Sequence, residues 1–184
     1  MKKFLILLGC LLLLTGCGKR LENEKQVNKY LKERYASEKF EILGKEVEEE
    51  EMEDACGDGT VKLYVWNVHS KSEDIDFTVR ETYKFNSFVC EYGRSSTYSI
   101  DVVKKLYPEW DYEYGSFTYQ AGTSSKDEIA NYIYEAFTNI SEHNPFKNDS
   151  NTDFALKIIY SGGEVNLRYK SIKSVEDVKS KLEK

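Results

Sequence analysis

The chain has 184 residues, a formal net charge of −6 and a hydrophobic fraction of 40%. This length suits one domain with a core of its own. The acidic balance argues against nucleic acid as a partner, because nucleic-acid binding depends on clustered Lys and Arg.

The first residues have the layout of an export signal. Lys2 and Lys3 precede an apolar run from Phe4 to Leu14, which is interrupted by Gly9. As a helix, this run reaches only ~16 Å, which is about half the thickness of a hydrocarbon core. The run is therefore too short to cross a membrane comfortably.

The residues Leu14, Thr15, Gly16 and Cys17 close the apolar run. They resemble the lipobox of bacterial lipoproteins, in which the cysteine thiol takes a diacylglyceryl group and the peptide is cut directly before that cysteine. The resemblance covers only this N-terminal segment. It implies a signal peptide over residues 1–16 and a lipidated N-terminus at Cys17.

Two alternatives stay open for this segment. A second lipobox-like tetrad ends at Cys10, but cleavage there would leave an apolar core of only a few residues. Without any processing, the segment would be a short hydrophobic helix packed on the domain.

Lipidation at Cys17 would determine where the protein resides. Two acyl chains give a stable anchor, whereas a single chain gives only reversible binding. Loss of Lys2 and Lys3 with the signal peptide changes the formal charge from −6 to −8, so the acyl chains rather than attraction to anionic lipid would hold the protein. The resemblance thus implies a lipid anchor on the extracytoplasmic face of the cell membrane, with residues 17–22 as a short tether and residues 23–184 as a single domain.

The first half of that domain predicts one helix and three strands. Asn23 and Gln26 resemble a capping box ahead of apolar residues at helical spacing. Polarity alternates in three segments after that helix, and the polar residues between the last two predict a hairpin turn. The predicted helix covers residues 24–37, and the predicted strands cover residues 40–44, 61–65 and 77–85.

The second half predicts three helices, an aromatic strand and a second hairpin. The first of these helices ends before Pro108, because the residue before a proline resists helical geometry. Ser125 and Glu128 form a capping-box pair ahead of the clearest amphipathic helix. Gly162 and Gly163 supply the hairpin turn. The predicted helices cover residues 98–106, 125–140 and 174–182, and the predicted strands cover residues 110–119, 154–160 and 165–169.

This order of elements predicts an α+β fold. Consecutive strands joined by short turns indicate a mainly antiparallel sheet built from hairpins, with about four helices packed on one face. No long Pro, Gly or Ser linker divides the chain, which favours a single domain.

Cys56 and Cys90 are the thiols that remain if Cys10 is removed and Cys17 is lipidated. In the first predicted hairpin, opposed residues have numbers that sum to 146, and the two cysteines meet this condition. A disulfide in an exported domain is therefore one interpretation, and two free cysteines are the other.

Two acidic segments are candidate cation sites. The acidic residues between 46 and 58 offer hard oxygen ligands, but a solvated loop between strands explains them better. Asp149, Asn151 and Asp153 copy the first three ligand positions of an EF-hand loop, yet the glycine and the glutamate that this motif needs are absent. The sequence therefore predicts no metal and no cofactor.

Catalytic motifs are also missing from the sequence. His69 and His143 are the only histidines, and neither has zinc-binding spacing. The chain has no G-x-S-x-G motif, and a Cys–His pair would compete with the disulfide. No catalytic residue is therefore predicted.

The aromatic residues Trp110, Tyr112 and Tyr114 would share one face of the predicted strand. That face is a candidate platform for a glycan or a peptide, because tyrosine combines an apolar ring with a polar tip. In the alternative interpretation, sheet partners and helices cover both faces of the strand.

Three functional hypotheses follow. The preferred one is a binding or interaction module on the membrane surface, with a protein, peptide or glycan partner. The second is a membrane-tethered, hydrolase-like enzyme, in which a histidine would have to meet carboxylates or a thiol. The third is an inhibitor or immunity-type lipoprotein whose acidic surface meets a basic partner.

Overall fold

The structure is a computed structural model that describes residues 20–36, 38–54, 56–86, 89–149 and 151–183. The predicted signal peptide and Cys17 lie outside these residues. Among the residues described, no helix has the length and apolar character needed to cross a bilayer.

The contacts divide the chain into two compact units. Unit 1 contains the described residues up to Leu31 together with Phe40–His69 and Asp76–Thr97, and unit 2 contains Lys32–Lys39, Ser70–Ile75 and the residues from Tyr98 onward. Both units combine helices with mainly antiparallel strands, so the predicted α+β class is confirmed.

Unit 1 is built on a four-stranded sheet in the order β1-β2-β3-β4. Helix α1 precedes this sheet in the sequence. Short links join successive strands, so neighbouring strands run antiparallel, because a parallel pair would need a long crossover. The elements are α1 Glu24–Arg34, β1 Phe40–Asp54, β2 Gly57–Ser70, β3 Ile75–Asn86 and β4 Val89–Ser96.

Strand β3 shows how the sequence pattern places the core of unit 1. Its buried residues within unit 1 alternate along the strand as Phe77, Val79 and Glu81, and Asp76 before them is exposed. This is the period of two that a strand with one covered face requires. The buried row ends in a carboxylate, and that carboxylate organises the site described below.

Two sequence predictions for unit 1 were wrong. The acidic residues 46–54 form the second half of β1 and not a loop between strands. β1 is an edge strand, so most of its glutamates stay in water while its backbone pairs with β2. Strand β4 was not predicted, and it places Cys90 opposite Phe85 of β3. The prediction that Cys56 and Cys90 oppose each other in one two-stranded hairpin is therefore wrong, although the two cysteines are bonded.

Unit 2 contains a second four-stranded sheet in the order β5-β6-β7-β8. The outer pairs are antiparallel and the central β6–β7 pair is parallel, with helix α3 in the crossover between them. The strands are β5 Asp111–Glu113, β6 Ser116–Gly122, β7 Ala155–Tyr160 and β8 Gly163–Arg168. The helices are α2 Tyr98–Leu106, α3 Lys126–Glu142, α4 Asn144–Lys147 and α5 Val175–Leu182, and a 3₁₀ turn covers Tyr169–Ser171.

The apolar face of α3 forms the centre of the unit 2 core. Ser125 and Glu128 make the predicted capping box at its N-terminus, where the Ser125 hydroxyl accepts a hydrogen bond from the Glu128 N–H at 3.3 Å. The buried face of the helix belongs to one cluster with residues of β6, β7, β8 and α5. Its buried helical residues are Ile129, Ala130, Ile133, Ala136, Phe137 and Ile140.

The predicted aromatic strand over residues 110–119 is a hairpin. Tyr114 and Gly115 lie between β5 and β6 with φ angles of 48° and 82°. Positive φ at both central residues is the geometry of a tight hairpin turn. Trp110 precedes β5, so Trp110 and Tyr114 lie on either side of a three-residue strand rather than along one continuous face.

Candidate functional site

Arg20 lies three residues after Cys17 in the sequence, and it is bonded to a buried carboxylate of unit 1. The Glu81 side chain is fully buried, and it accepts hydrogen bonds from Arg20 Nη2 at 3.1 Å and Nε at 3.4 Å. The same carboxylate accepts from the backbone N–H of Leu21 and, at 3.1 Å, from that of Tyr64. Glu81 therefore fixes both a side chain and the backbone directly after the predicted anchor.

The Arg20 guanidinium is also enclosed by aromatic rings. Its carbon lies 4.1 Å from the ring centre of Tyr92 and 4.9 Å from that of Tyr64. Nη1 donates to the Tyr92 hydroxyl at 3.1 Å, and Nη2 donates to the Lys62 carbonyl at 2.7 Å. Burial alone would lower the pKa of Arg20, but the hydrogen bond and charge of Glu81 outweigh burial and raise that pKa.

The two residues after Arg20 are bound to the same sheet. Leu21 is fully buried, and its carbonyl accepts from the indole N–H of Trp66 at 2.7 Å. The Glu22 carbonyl accepts from Lys45 Nζ at 2.8 Å. The last three residues of the predicted tether, 17–22, are thus attached to unit 1. We use the name Arg20 clamp for Arg20 and Leu21 together with the residues that surround them, Tyr64, Glu81 and Tyr92.

Cys56 and Cys90 form a disulfide, with their Cα atoms 5.5 Å apart. The bond links the turn between β1 and β2 to the first residues of β4. The sequence interpretation as a disulfide is confirmed, so neither cysteine offers a free thiol for pairing with a histidine.

A cleft of about 320 Å³ opens in unit 2 beside α3. One side is α3, and the other is the segment that follows β8. Aromatic stacking holds the wall in place, because Tyr169 stacks on Phe154 at 5.1 Å and meets Phe137 edge-on at 5.3 Å. Burial raises the pKa of Tyr169. The lining residues are Tyr134, Phe137, Thr138, Ser141, Tyr169, Lys170, Ile172 and Lys173.

The two histidines each pair with a carboxylate. In unit 1, His69 Nδ1 lies 2.8 Å from Asp76 Oδ1. In unit 2, His143 Nδ1 lies 2.7 Å from Glu73 Oε2, and Glu73 Oε1 accepts the Asn144 N–H at 2.9 Å. Each histidine thus has a carboxylate partner within hydrogen-bonding distance.

A polar network in unit 2 surrounds Glu38. This carboxylate accepts from Ser70 Oγ at 3.1 Å and from the Ser72 N–H at 3.2 Å, and it also contacts the Asn144 side chain. The Tyr98 hydroxyl lies 2.9 Å from Ser70 Oγ. Burial would raise the pKa of Glu38, but the hydrogen bonds from Ser72 and Asn144 lower it. The network holds the turn between β2 and β3, as a satisfied set of polar groups should.

The residues that copy part of an EF-hand motif stabilise their own turn. Asp149 accepts from the Asn151 N–H at 2.9 Å and from Arg34 Nε at 2.8 Å. Burial would raise the pKa of Asp149, whereas these bonds lower it. Asp153 accepts from the Lys170 N–H at 3.1 Å. In the described part of the chain, no group of three or more His, Cys, Asp or Glu side chains is arranged to hold a metal ion.

The three aromatic residues predicted as a platform have different surroundings. Trp110 is 2% exposed, stacks on Tyr107 at 4.6 Å and donates from Nε1 to the Tyr132 hydroxyl at 3.1 Å. Tyr112 is half-buried, with its ring centre 4.8 Å from that of Phe117. Tyr114 is 97% exposed at the hairpin turn. Trp110 thus belongs to the core, and a binding role for the two tyrosines stays a prediction.

The comparisons with known proteins give no relative: no family model, no curated protein and no solved structure matches the chain. Any inference about the function of this protein therefore rests on the geometry of its own residues.

The sequence analysis predicted neither the Arg20 clamp nor the cleft. One sequence signal for the Arg20 clamp was visible, because Glu81 continues the apolar alternation of Phe77 and Val79 on the buried side of β3. A carboxylate at such a position needs a partner. The cleft had no such signal, since it depends on how α3 and the segment after β8 approach each other.

Proposed function

We propose that this protein is a lipid-anchored lipoprotein on the extracytoplasmic face of the cell membrane, where it acts as a binding module. The observation that supports the anchor best is the Arg20 clamp. The lipobox resemblance puts the mature N-terminus at Cys17, and the chain is bound to unit 1 from Arg20 onward. The predicted lipidation site therefore lies three positions before the first residue of the clamp.

The disulfide is the second support for an exported protein. Structural disulfides form and persist in oxidising compartments outside the cytoplasm. The bond between Cys56 and Cys90 in unit 1 is consistent with an oxidising compartment of this kind.

Lipidation is tested by metabolic labelling with an alkyne fatty acid in a bacterial host that processes lipoproteins. The wild-type protein should take the label and should have the intact mass of the chain from Cys17 plus a diacylglyceryl group. Cys17→Ser should lose the label and keep its leader, whereas the matched variant Cys10→Ser should behave as wild type. Label on Cys17→Ser, or an unmodified wild-type mass, contradicts the anchor.

The cleft in unit 2 supports a binding role. It combines a stacked aromatic wall with hydroxyl groups and two lysines, and small-molecule sites pair an apolar lining with a few polar groups in the same way. Its volume of about 320 Å³ falls at the lower end of such sites.

The cleft is tested with 1-anilinonaphthalene-8-sulfonate, an aromatic anion whose fluorescence rises in apolar surroundings. Thr138→Trp should fill the cleft and weaken binding by about tenfold, which corresponds to about 1.4 kcal/mol. Asn139→Trp, on the exposed neighbour in the same helix, is the matched control. Equal binding by both variants would exclude the cleft as the binding site.

A further inference from the structure

Strand β1 carries an exposed apolar pair on one of its faces. Leu43 and Val47 are each 52% exposed, although large hydrophobic side chains are usually covered. Lys45 lies between them, and all three side chains point to the same face because alternate residues of a strand do so. We call these three residues the β1 patch.

The β1 patch adjoins the Arg20 clamp. Lys45 Nζ lies 4.0 Å from the ring centre of Tyr64, which is part of the clamp, and it donates to the Glu22 carbonyl at 2.8 Å. The face of β1 that carries Leu43 and Val47 is therefore the face on which residues 20–22 are fixed.

The opposite face of β1 is acidic and engaged with its own sheet. Glu46 accepts from Asn67 Nδ2 at 3.1 Å. Glu48 and Glu50 pair with Arg80 Nη2 at 2.9 Å and 3.4 Å. One strand thus presents an apolar pair around a lysine on one face and paired carboxylates on the other.

The distance from the predicted anchor to the patch is short. Arg20 is three positions after Cys17, and an extended chain spans at most ~3.6 Å per position, so the lipidated residue lies within ~11 Å of the clamp. A chain fixed so close to its acyl groups cannot carry the clamped face far from the bilayer.

We propose that the β1 patch lies against the lipid bilayer in the anchored protein, so that this face of unit 1 is the membrane-facing surface. The inference rests on the proposed lipidation of Cys17. Leu43 and Val47 enter the boundary between headgroups and acyl chains, and Lys45 supplies a positive charge at the level of the headgroups. Two half-exposed side chains bind a bilayer too weakly by themselves, but the acyl anchor gives them a high effective concentration at the surface.

The charge around the patch identifies the kind of lipid surface. Glu49 and Glu51 are exposed beyond Val47, on the same face of β1. We therefore expect contact with a zwitterionic phosphatidylcholine surface, without a requirement for anionic lipid.

The experiment uses fluorescence quenching by brominated lipids. Lipidated protein is purified from membranes and reconstituted into phosphatidylcholine vesicles with or without bromine on the acyl chains. Val47→Trp places a reporter in the patch, and Glu48→Trp places one on the adjacent residue of the opposite face. The native Trp66 and Trp110, which are 4% and 2% exposed, give a background common to both variants.

Brominated lipid should quench the added fluorescence of Val47→Trp at least about twofold more than that of Glu48→Trp, as expected for shallow insertion of one face. Leu43→Trp and Glu46→Trp repeat the comparison at a second position, in case one variant fails to fold. Deletion of residues 1–17, which removes both the leader and the lipidated cysteine, should abolish the quenching of every variant.

The outcomes separate this inference from the proposed anchor. If the protein lacks the diacylglyceryl mass, the anchor itself is refuted. If the protein is lipidated and bound to vesicles but both faces of β1 are quenched equally, or neither is, the membrane-facing role of the patch is overturned. Dimerisation of the lipid-free protein that Val47→Glu abolishes would assign the patch to a second copy of the chain, and it would also overturn the inference.

Discussion

Replacement of Arg20 by alanine should destabilise unit 1 by about 2–3 kcal/mol. Loss of one partner of a buried ion pair costs about 3–5 kcal/mol, because the other charge is left without compensation. The Arg20 side chain is 27% exposed, and Glu81 keeps two backbone N–H donors, so the cost should fall below that range. Within the predicted total of about 2–3 kcal/mol, about 0.5–1 kcal/mol comes from the loss of guanidinium stacking on Tyr92.

Two further substitutions separate charge from geometry. Arg20→Lys keeps the positive charge but loses the planar fork that reaches Glu81, Tyr92 and the Lys62 carbonyl together, so it should cost about 1–2 kcal/mol. Arg20→Met with Glu81→Leu removes both charges. A buried ion pair can often be replaced by two apolar residues with little loss of stability. The free energy of unfolding should therefore fall clearly less in the double variant than the sum of the losses in the two single variants.

The assay is urea unfolding of the protein without its leader, followed by tryptophan fluorescence and circular dichroism. Trp66 reports on this region because its indole N–H binds the Leu21 carbonyl. A loss below about 0.5 kcal/mol for Arg20→Ala, the value typical of a surface substitution, would refute the reasoning. Additive effects of Arg20→Met and Glu81→Leu would refute it as well.

Three other predictions concern the disulfide, an acidic turn and a helix cap. Replacing Cys56 and Cys90 by alanine removes a cross-link between residues 34 apart, which the chain-entropy model sets at about 3–4 kcal/mol; an unchanged urea midpoint would contradict this. The pKa of Asp149 is lowered in the fold, so its bonds stabilise above its ordinary value of 3.8 and are lost as the pH falls through and below that value. Asp149→Asn should therefore reduce the loss of stability in acid, as measured by urea unfolding across pH. Ser125→Ala should cost about 1 kcal/mol because it removes the N-cap of α3, and Ser124→Ala should cost little in the same assay.

The sequence predicted best those elements whose signals are local. The capping box predicted at Ser125 forms in the structure, and Ser174, the first residue of the last predicted helix, caps α5 in the same way. The second hairpin was also predicted, although its turn lies one residue earlier than expected because Gly163 already pairs with Tyr160. Caps and tight turns depend on a few adjacent residues, so they can be read without knowledge of the rest of the fold.

The elements that were missed depend on distant partners. β4 contains Gly93, where a Cβ atom would lie only 2.5 Å from Thr82 Oγ1. The neighbouring strand therefore requires glycine at this position, and the sequence of β4 alone does not show that. The acidic half of β1 is a strand because β2 pairs with it, against the low strand preference of glutamate. The alternation of β3 marks Glu81 as buried, but no local pattern identifies its partner Arg20, which lies 61 positions away in the sequence.

The acidic edge of β1 has a consequence for crowding. A protein confined to a plane meets other copies far more often than one in free solution, and an open strand edge invites pairing between neighbours. The glutamates of β1 place like charges along that edge, and their repulsion acts over about 8 Å at physiological ionic strength. If the protein is anchored as proposed, copies at high surface density would thus be kept from joining their sheets side by side.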